Sequence, residues 1–168
     1  MDWIGRPVVK VLSGIRRCGK SSILIRCKER LAAQGVPESA ILHINMELLA
    51  NERFRDIHLL DREVHEAVNH NGGMVYLFLD EVQEIPNWEK LVGSLLAEGI
   101  VDLTVTGSNA HLLAGELATL LSGRYVEIPD YPLVFREYCD FFFCWSWEGI
   151  FYGFFAERRI PGVGGIGS

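Results

Sequence analysis

Near the amino end, within "VVKVLSGIRRCGKSS" (Val8 to Ser22), Gly14, Gly19, Lys20 and Ser21 fill the fixed positions of the pattern G-x-x-x-x-G-K-[ST]. That spacing is suited to holding phosphate. Glycines admit backbone conformations that turn successive N–H groups inward, forming a nest for phosphate oxygens. A helix beginning at Lys20 would aim its positive end at the same place. The candidate binding segment is therefore Gly14, Ile15, Arg16, Arg17, Cys18, Gly19, Lys20, Ser21 and Ser22. Lys20 would reach the β- and γ-phosphates of ATP, and the Ser21 hydroxyl would ligate Mg²⁺. At average residue frequencies the pattern arises by chance in about one in two hundred chains of this length. A strand directly before it lowers that further, and we read a nucleoside triphosphate site.

A second group completes the chemistry. "MVYLFLDE", Met74 to Glu81, is an apolar strand ending abruptly in two carboxylates. Asp80 would hold Mg²⁺ through water or Ser21, and Glu81 would polarise the attacking water. Read alone, the two could be ordinary solvated acids; after a phosphate loop they are the other half of a site. "VDLTVTGSN" ends a further strand in polar residues, at the edge where such sheets bind ligands. Asn109, or Ser108, could there sense the γ-phosphate or orient water, and either could equally cap the helix that follows. Arg124 opens the next strand, where it could stabilise phosphoryl charge in its own subunit or across an interface, or form a structural salt bridge.

The elements that must position these groups alternate. Strands are expected at residues 8–12, 40–46, 74–81, 101–106 and 125–128, with helices at 20–33, 54–69, 87–98, 110–113 and 116–121 and another opening at Pro132. The fold class is α/β. His58, His65 and His70 are spaced by seven and five, which does not bring two ligands to one helix face. His43, within the second strand, reads as a core or edge residue.

Bulk properties set limits. The 168 residues carry a formal charge of −6, with 49% hydrophobic and 23% charged residues. That balance fits a globular domain and gives no support to a broad nucleic-acid-binding face. The four cysteines, Cys18, Cys27, Cys139 and Cys144, form no C-x-x-C pair, as expected of reduced thiols in the cytoplasm. No secretory leader and no membrane span is expected. Nine aromatic residues crowd Phe141 to Phe155, ahead of "PGVGGIGS".

Taken together, "KVLSGIRRCGKSS", "INME", "LFLDEVQEIPNWE", "TVTGSNAHLL", "LATLLSGRY" and "YPLVFREY" resemble, in content and order, the ATPase domain of prokaryotic AAA-type ATP-binding proteins. In those proteins the domain precedes a C-terminal domain of poorly understood function. The resemblance implies a three-layer P-loop NTPase sandwich with a central, mainly parallel five-stranded sheet in the additional-strand order 5-1-4-3-2. It implies that Glu81 is the catalytic acid, and that Asn45 matches a residue restraining that glutamate in related ATPases. A homo-oligomer or partner protein, and nucleic acid, enter only through the resemblance. Residues 1–140 would form the ATPase domain, and residues 141–168, which do not match the family's further domain, a truncated or aberrant remnant.

ATP hydrolysis coupled to an absent domain or partner is the leading reading. A P-loop kinase acting on a small molecule is the second, although Glu81 is present and no arginine-rich lid segment is evident. A non-hydrolysing nucleotide-binding module from a broken gene is the third.

Overall fold

Short aliphatic runs form five strands: β1 (Val9–Ser13), β2 (Ile41–Asn45), β3 (Val75–Asp80), β4 (Val101–Gly107) and β5 (Tyr125–Pro129). The computed structural model describes Ile4, residues 6–108 and residues 123–132. The strands pair in parallel, in the order β2-β3-β4-β1-β5. This is the expected sheet order. Parallel neighbours need crossovers, and three helices supply them among the described residues: α1 (Lys20–Ala33), α2 (Ile57–Asn71) and α3 (Trp88–Glu98).

Side chains alternate across the sheet, and this decides where the chemistry goes. Val9 and Val11 of β1, Leu77 and Leu79 of β3, and Leu103 and Val105 of β4 join one large apolar cluster with Leu60 and Val64 of α2 and Leu91 and Leu95 of α3. The other face is thinner: Leu12, Phe78 and, from α1, Leu24, Cys27 and Leu31. Each fully buried aliphatic side chain contributes about 1.5–3 kcal/mol, so the α2/α3 face carries most of the apolar stabilisation. The alternation assigns Asp80, two residues beyond Phe78, to the α1 face. β1, β3 and β4 are almost wholly buried, whereas β2 and β5 are partly exposed edges.

One boundary differs from expectation. The helix expected at 54–69 is divided into a 3-10 segment, Leu49–Arg55, and α2 proper. Asp56 separates them because its carboxylate accepts the His58 N–H at 2.9 Å, capping α2 and fixing its start. The chain divides into two units, Met1–Tyr131 and Pro132–Ser168. The sheet belongs to the first; the second lies almost entirely outside the described residues. Asn109, the expected helices at 110–113 and 116–121, the helical stretch beyond Pro132, the boundary near residue 140 and the tail also lie outside them. No helix among the described residues is long and apolar enough to cross a membrane.

Candidate active site

β1 delivers the chain to Gly14 at the carboxyl edge of the sheet, and α1 starts at Lys20. Between them the backbone takes left-handed conformations at Arg17 (φ 65°) and a positive φ of 122° at Gly19. These turns make a concave loop. Gly14 is required by its neighbours: a Cβ there would collide with the Asp130 carbonyl oxygen and lie 2.8 Å from Cys18 Sγ. The Asp130 N–H also donates to the Ser13 carbonyl at 2.6 Å, so the exit of β5 braces the loop. Burial and then the Asp130 carboxylate raise the Cys18 pKa. Cys18 thus packs against the Gly14 backbone, and its raised pKa favours the thiol form.

Lys20 is 4% exposed. Its Nζ donates to the Gly14 and Ile15 carbonyls, both at 3.2 Å, and lies 3.8 Å from Glu81 Oε1. Arg16, Arg17, Gly19, Lys20, Ser21 and Ser22 share a cavity of about 380 Å³ with Glu47 and Glu81. Glu81, from the second half expected from sequence, thus meets the loop in one cavity. Ile15, by contrast, points outward and is 62% exposed.

Asp80 is fully buried. Its Oδ1 accepts the Thr106 hydroxyl at 2.5 Å, and the same hydroxyl oxygen accepts the Glu81 N–H at 3.0 Å. Thr106 therefore fixes both carboxylate residues from the neighbouring strand. The register makes this work, because Leu79 of β3 pairs with Val105 of β4, setting Thr106 beside Asp80. Glu81 itself is left-handed, with φ 57° and ψ 54°. Such a conformation costs a residue with a Cβ about 1–3 kcal/mol and tends to be kept where function needs it.

Asp80 Oδ2 is buried with no hydrogen-bond partner among the described residues. A buried carboxylate oxygen left bare is costly unless something cationic meets it. Oxygen donors of this kind, together with a loop hydroxyl, suit Mg²⁺. The chemistry of these residues fits that ion, which Asp80 and Ser21 would hold.

The AAA domain family matches residues 6–139. The chain belongs to that family. This AAA domain is 42% identical over 130 residues to an uncharacterised protein of Haemophilus influenzae, covering 77% of the chain and 32% of that protein. It is 32% identical over 134 residues to an uncharacterised protein of Methanocaldococcus jannaschii, covering 79% of the chain and 28% of that protein. The chain therefore spans about a third of the curated relatives it matches. In fold it resembles C. elegans PCH-2, with a TM-score of 0.57 at 15% identity over 82% of the chain and 39% of that structure. Family and fold together make this an AAA-type ATPase domain, a nucleotide-binding module.

Other expected residues of the AAA domain fall elsewhere. Arg124 sits at the amino end of β5, where its carbonyl accepts the Val9 N–H at 3.1 Å. That is a strand length, about 15 Å, from the phosphate loop, so the fold does not bring it to its own chain's site. Asn45 is not bonded to Glu81. Its side-chain oxygen accepts the Glu47 N–H at 2.8 Å, and Glu81 is met instead by Gln83. His43 is half-buried on the edge strand β2 and lies edge-on to Phe78, and burial chiefly lowers its pKa, with Lys28 adding to the effect. Thr106, Gln83 and Asp130 were not among the residues singled out from sequence. A polar residue ending a buried strand was the available signal for Thr106; Asp130 carried none.

Proposed function

We propose that this AAA domain binds MgATP and hydrolyses the β–γ bond by in-line attack of water. The meeting of Lys20, Ser21 and Glu81 in one cavity supports this reading, and the unpartnered Oδ2 of Asp80, the residue before Glu81, carries it. Lys20, now held by loop carbonyls, exchanges them for the β- and γ-phosphates. The loop N–H groups and the α1 amino terminus take up the phosphate charge. Asp80 and Ser21 hold the Mg²⁺ ion, which when bound neutralises charge on the phosphate oxygens. Glu81 orients water and takes its proton. Asn109 follows Ser108 at the β4 exit and serves as the sensor of the γ-phosphate. Arg124, too distant to serve its own site, stabilises the transferring phosphoryl in a neighbouring copy. Turnover drives conformational change in the remainder of a longer protein or in a partner, in the cytoplasm.

The test is direct. Purified protein should bind MgATP and release phosphate without any acceptor. Lys20→Ala should lose binding by more than about tenfold. Glu81→Gln should bind normally but turn over at least about a hundredfold more slowly. Unchanged binding and turnover in Lys20→Ala would overturn the reading, and strict dependence on an acceptor would replace it with a kinase.

A further inference from the structure

Gln83 follows the left-handed Glu81 by two residues, in the 3-10 turn Val82–Glu84. The turn folds its side chain back over the catalytic carboxylate. Gln83 Nε2 donates to Glu81 Oε2 at 2.5 Å and to Ser108 Oγ at 3.3 Å. A primary amide has two N–H groups, and both are used. The direction of the amide is fixed by chemistry, since reversing it would set a carbonyl against a carboxylate. Gln83 Oε1, on the other side, is buried with no partner among the described residues. A buried carbonyl left bare is destabilising, and an apolar side chain of the same shape would avoid it. Stability alone does not account for a glutamine at this position.

We propose that Gln83 is a positioning residue for the Glu81 base, and that it ties this base to the end of β4. The proposal rests on the hydrolytic reading above. Glu81 is held from two sides. Oε2 is bound by Gln83, which with Ser108 lines a second cavity of about 560 Å³ on that flank of Glu81. Oε1 faces Lys20 in the phosphate cavity. When Lys20 turns to phosphate, Oε1 becomes free to accept a proton from water. Gln83 keeps hold of Oε2, so the carboxylate stays aimed into the phosphate cavity instead of rotating away. Ser108 immediately precedes Asn109, so a displacement at the β4 exit reaches Glu81 through a single amide.

The test compares the 168-residue chain with its Gln83→Met, Ser108→Ala, Glu81→Gln and Glu81→Gln/Gln83→Met variants. MgATP dissociation constants, KM, kcat for phosphate release and thermal midpoints are measured for each. Methionine keeps the length and fills the space without donating. Gln83→Met should lower kcat about tenfold, the worth of a hydrogen bond to a charged group. Its KM and dissociation constant should stay within about twofold, and its thermal midpoint should hold or rise. Ser108→Ala should lower kcat by a smaller factor. The double variant should be no slower than Glu81→Gln, because a positioning residue has no effect once the base is gone. Wild-type kcat in Gln83→Met would overturn the proposal, as would a kcat loss that merely tracks a fall in thermal midpoint or in affinity. If the unaltered chain releases no phosphate, or Glu81→Gln hydrolyses like it, the hydrolytic reading fails and this proposal with it. If Glu81→Gln is inactive while Gln83→Met is normal, the role of Gln83 alone fails.

Discussion

Two lysines are buried on the α1 face of this sheet, each facing a carboxylate, and they have opposite characters. Toward the amino end, Lys10 Nζ lies 2.8 Å from Asp102 Oδ1, and both side chains are almost inaccessible. It also donates to the Arg6 carbonyl at 3.1 Å, so the ammonium group is well satisfied. At the carboxyl end, Lys20 stands 3.8 Å from Glu81, and the neighbouring Asp80 has an oxygen with no partner. The first arrangement is closed and has nothing left to bind. The second is loose and leaves acceptors unmet. The difference teaches how to separate a structural charge pair from a functional one: what matters is the unsatisfied remainder, because burial is common to both.

That contrast can be broken experimentally. The largest effect is expected at the closed pair. Lys10→Ala leaves Asp102 buried without its ammonium partner and should cost about 3–5 kcal/mol of unfolding free energy. Replacing both partners, Lys10→Met with Asp102→Leu, should recover most of that loss; urea denaturation checks both. If Lys20→Ala proves as destabilising as Lys10→Ala, the distinction between the two lysines collapses.

Thr106→Val sharpens the contrast from the other side. It keeps the volume of a buried side chain but removes the hydroxyl shared by Asp80 and the Glu81 N–H. A cost of about 1–3 kcal/mol is expected, together with slower phosphate release. Equal stability and equal turnover in this variant would show that Thr106 fixes neither carboxylate residue.

The smallest effect concerns a surface tie, where His65 Nε2 of α2 lies 2.9 Å from Glu98 Oε2 of α3. The His65 pKa is raised from 6.5, first by its hydrogen bond to the Asp61 carbonyl and then by Glu98. The Glu98 pKa is lowered from 4.5, chiefly by His65. The His65 contribution is therefore fully present below pH 6.5 and fades as pH rises through its folded value. The Glu98 contribution is present above pH 4.5 and fades as pH falls through its own. Their joint stabilisation is greatest between those limits and small, because both groups are exposed and screened. His65→Ala should narrow its stability deficit as pH rises above that window. A deficit that does not change with pH would mean that the pair is not electrostatic.

Legibility from sequence followed the range of the interactions. The phosphate loop and the Asp80-Glu81 pair are contiguous motifs, and their residues could be named before any fold was known. Helix α1, expected at residues 20–33, has those bounds, because Gly19 and Gly35 bracket a clean apolar period. The strands fall within one or two residues of expectation, since Gly, Pro and Asn punctuate them. Thr106, Asp130 and Gln83 were not legible for a different reason. Thr106 reaches Asp80 across 26 positions, and Asp130 meets Gly14 only because β5 pairs with β1. Such contacts depend on which strands pair across long crossovers, which a contiguous motif does not specify. Gln83 reaches Glu81 only because the left-handed Glu81 and the 3-10 turn fold its side chain back, which its sequence context does not signal. The misplaced start of α2 is a milder case: Asp56 was a readable cap that the apolar period outweighed.

The left-handed backbone of Glu81 has a consequence for the evolvability of this domain. Glycine adopts φ near 57° without a Cβ penalty, so the most stable residue for that position is one that cannot take a proton. The buried carbonyl of Gln83 two residues on gives the same incentive toward an apolar replacement. A laboratory search for thermostable variants would therefore be drawn to these neighbouring positions and, on the proposed mechanism, would collect proteins that fold better and turn over more slowly. Heat resistance and the proposed turnover would then compete over the same few atoms.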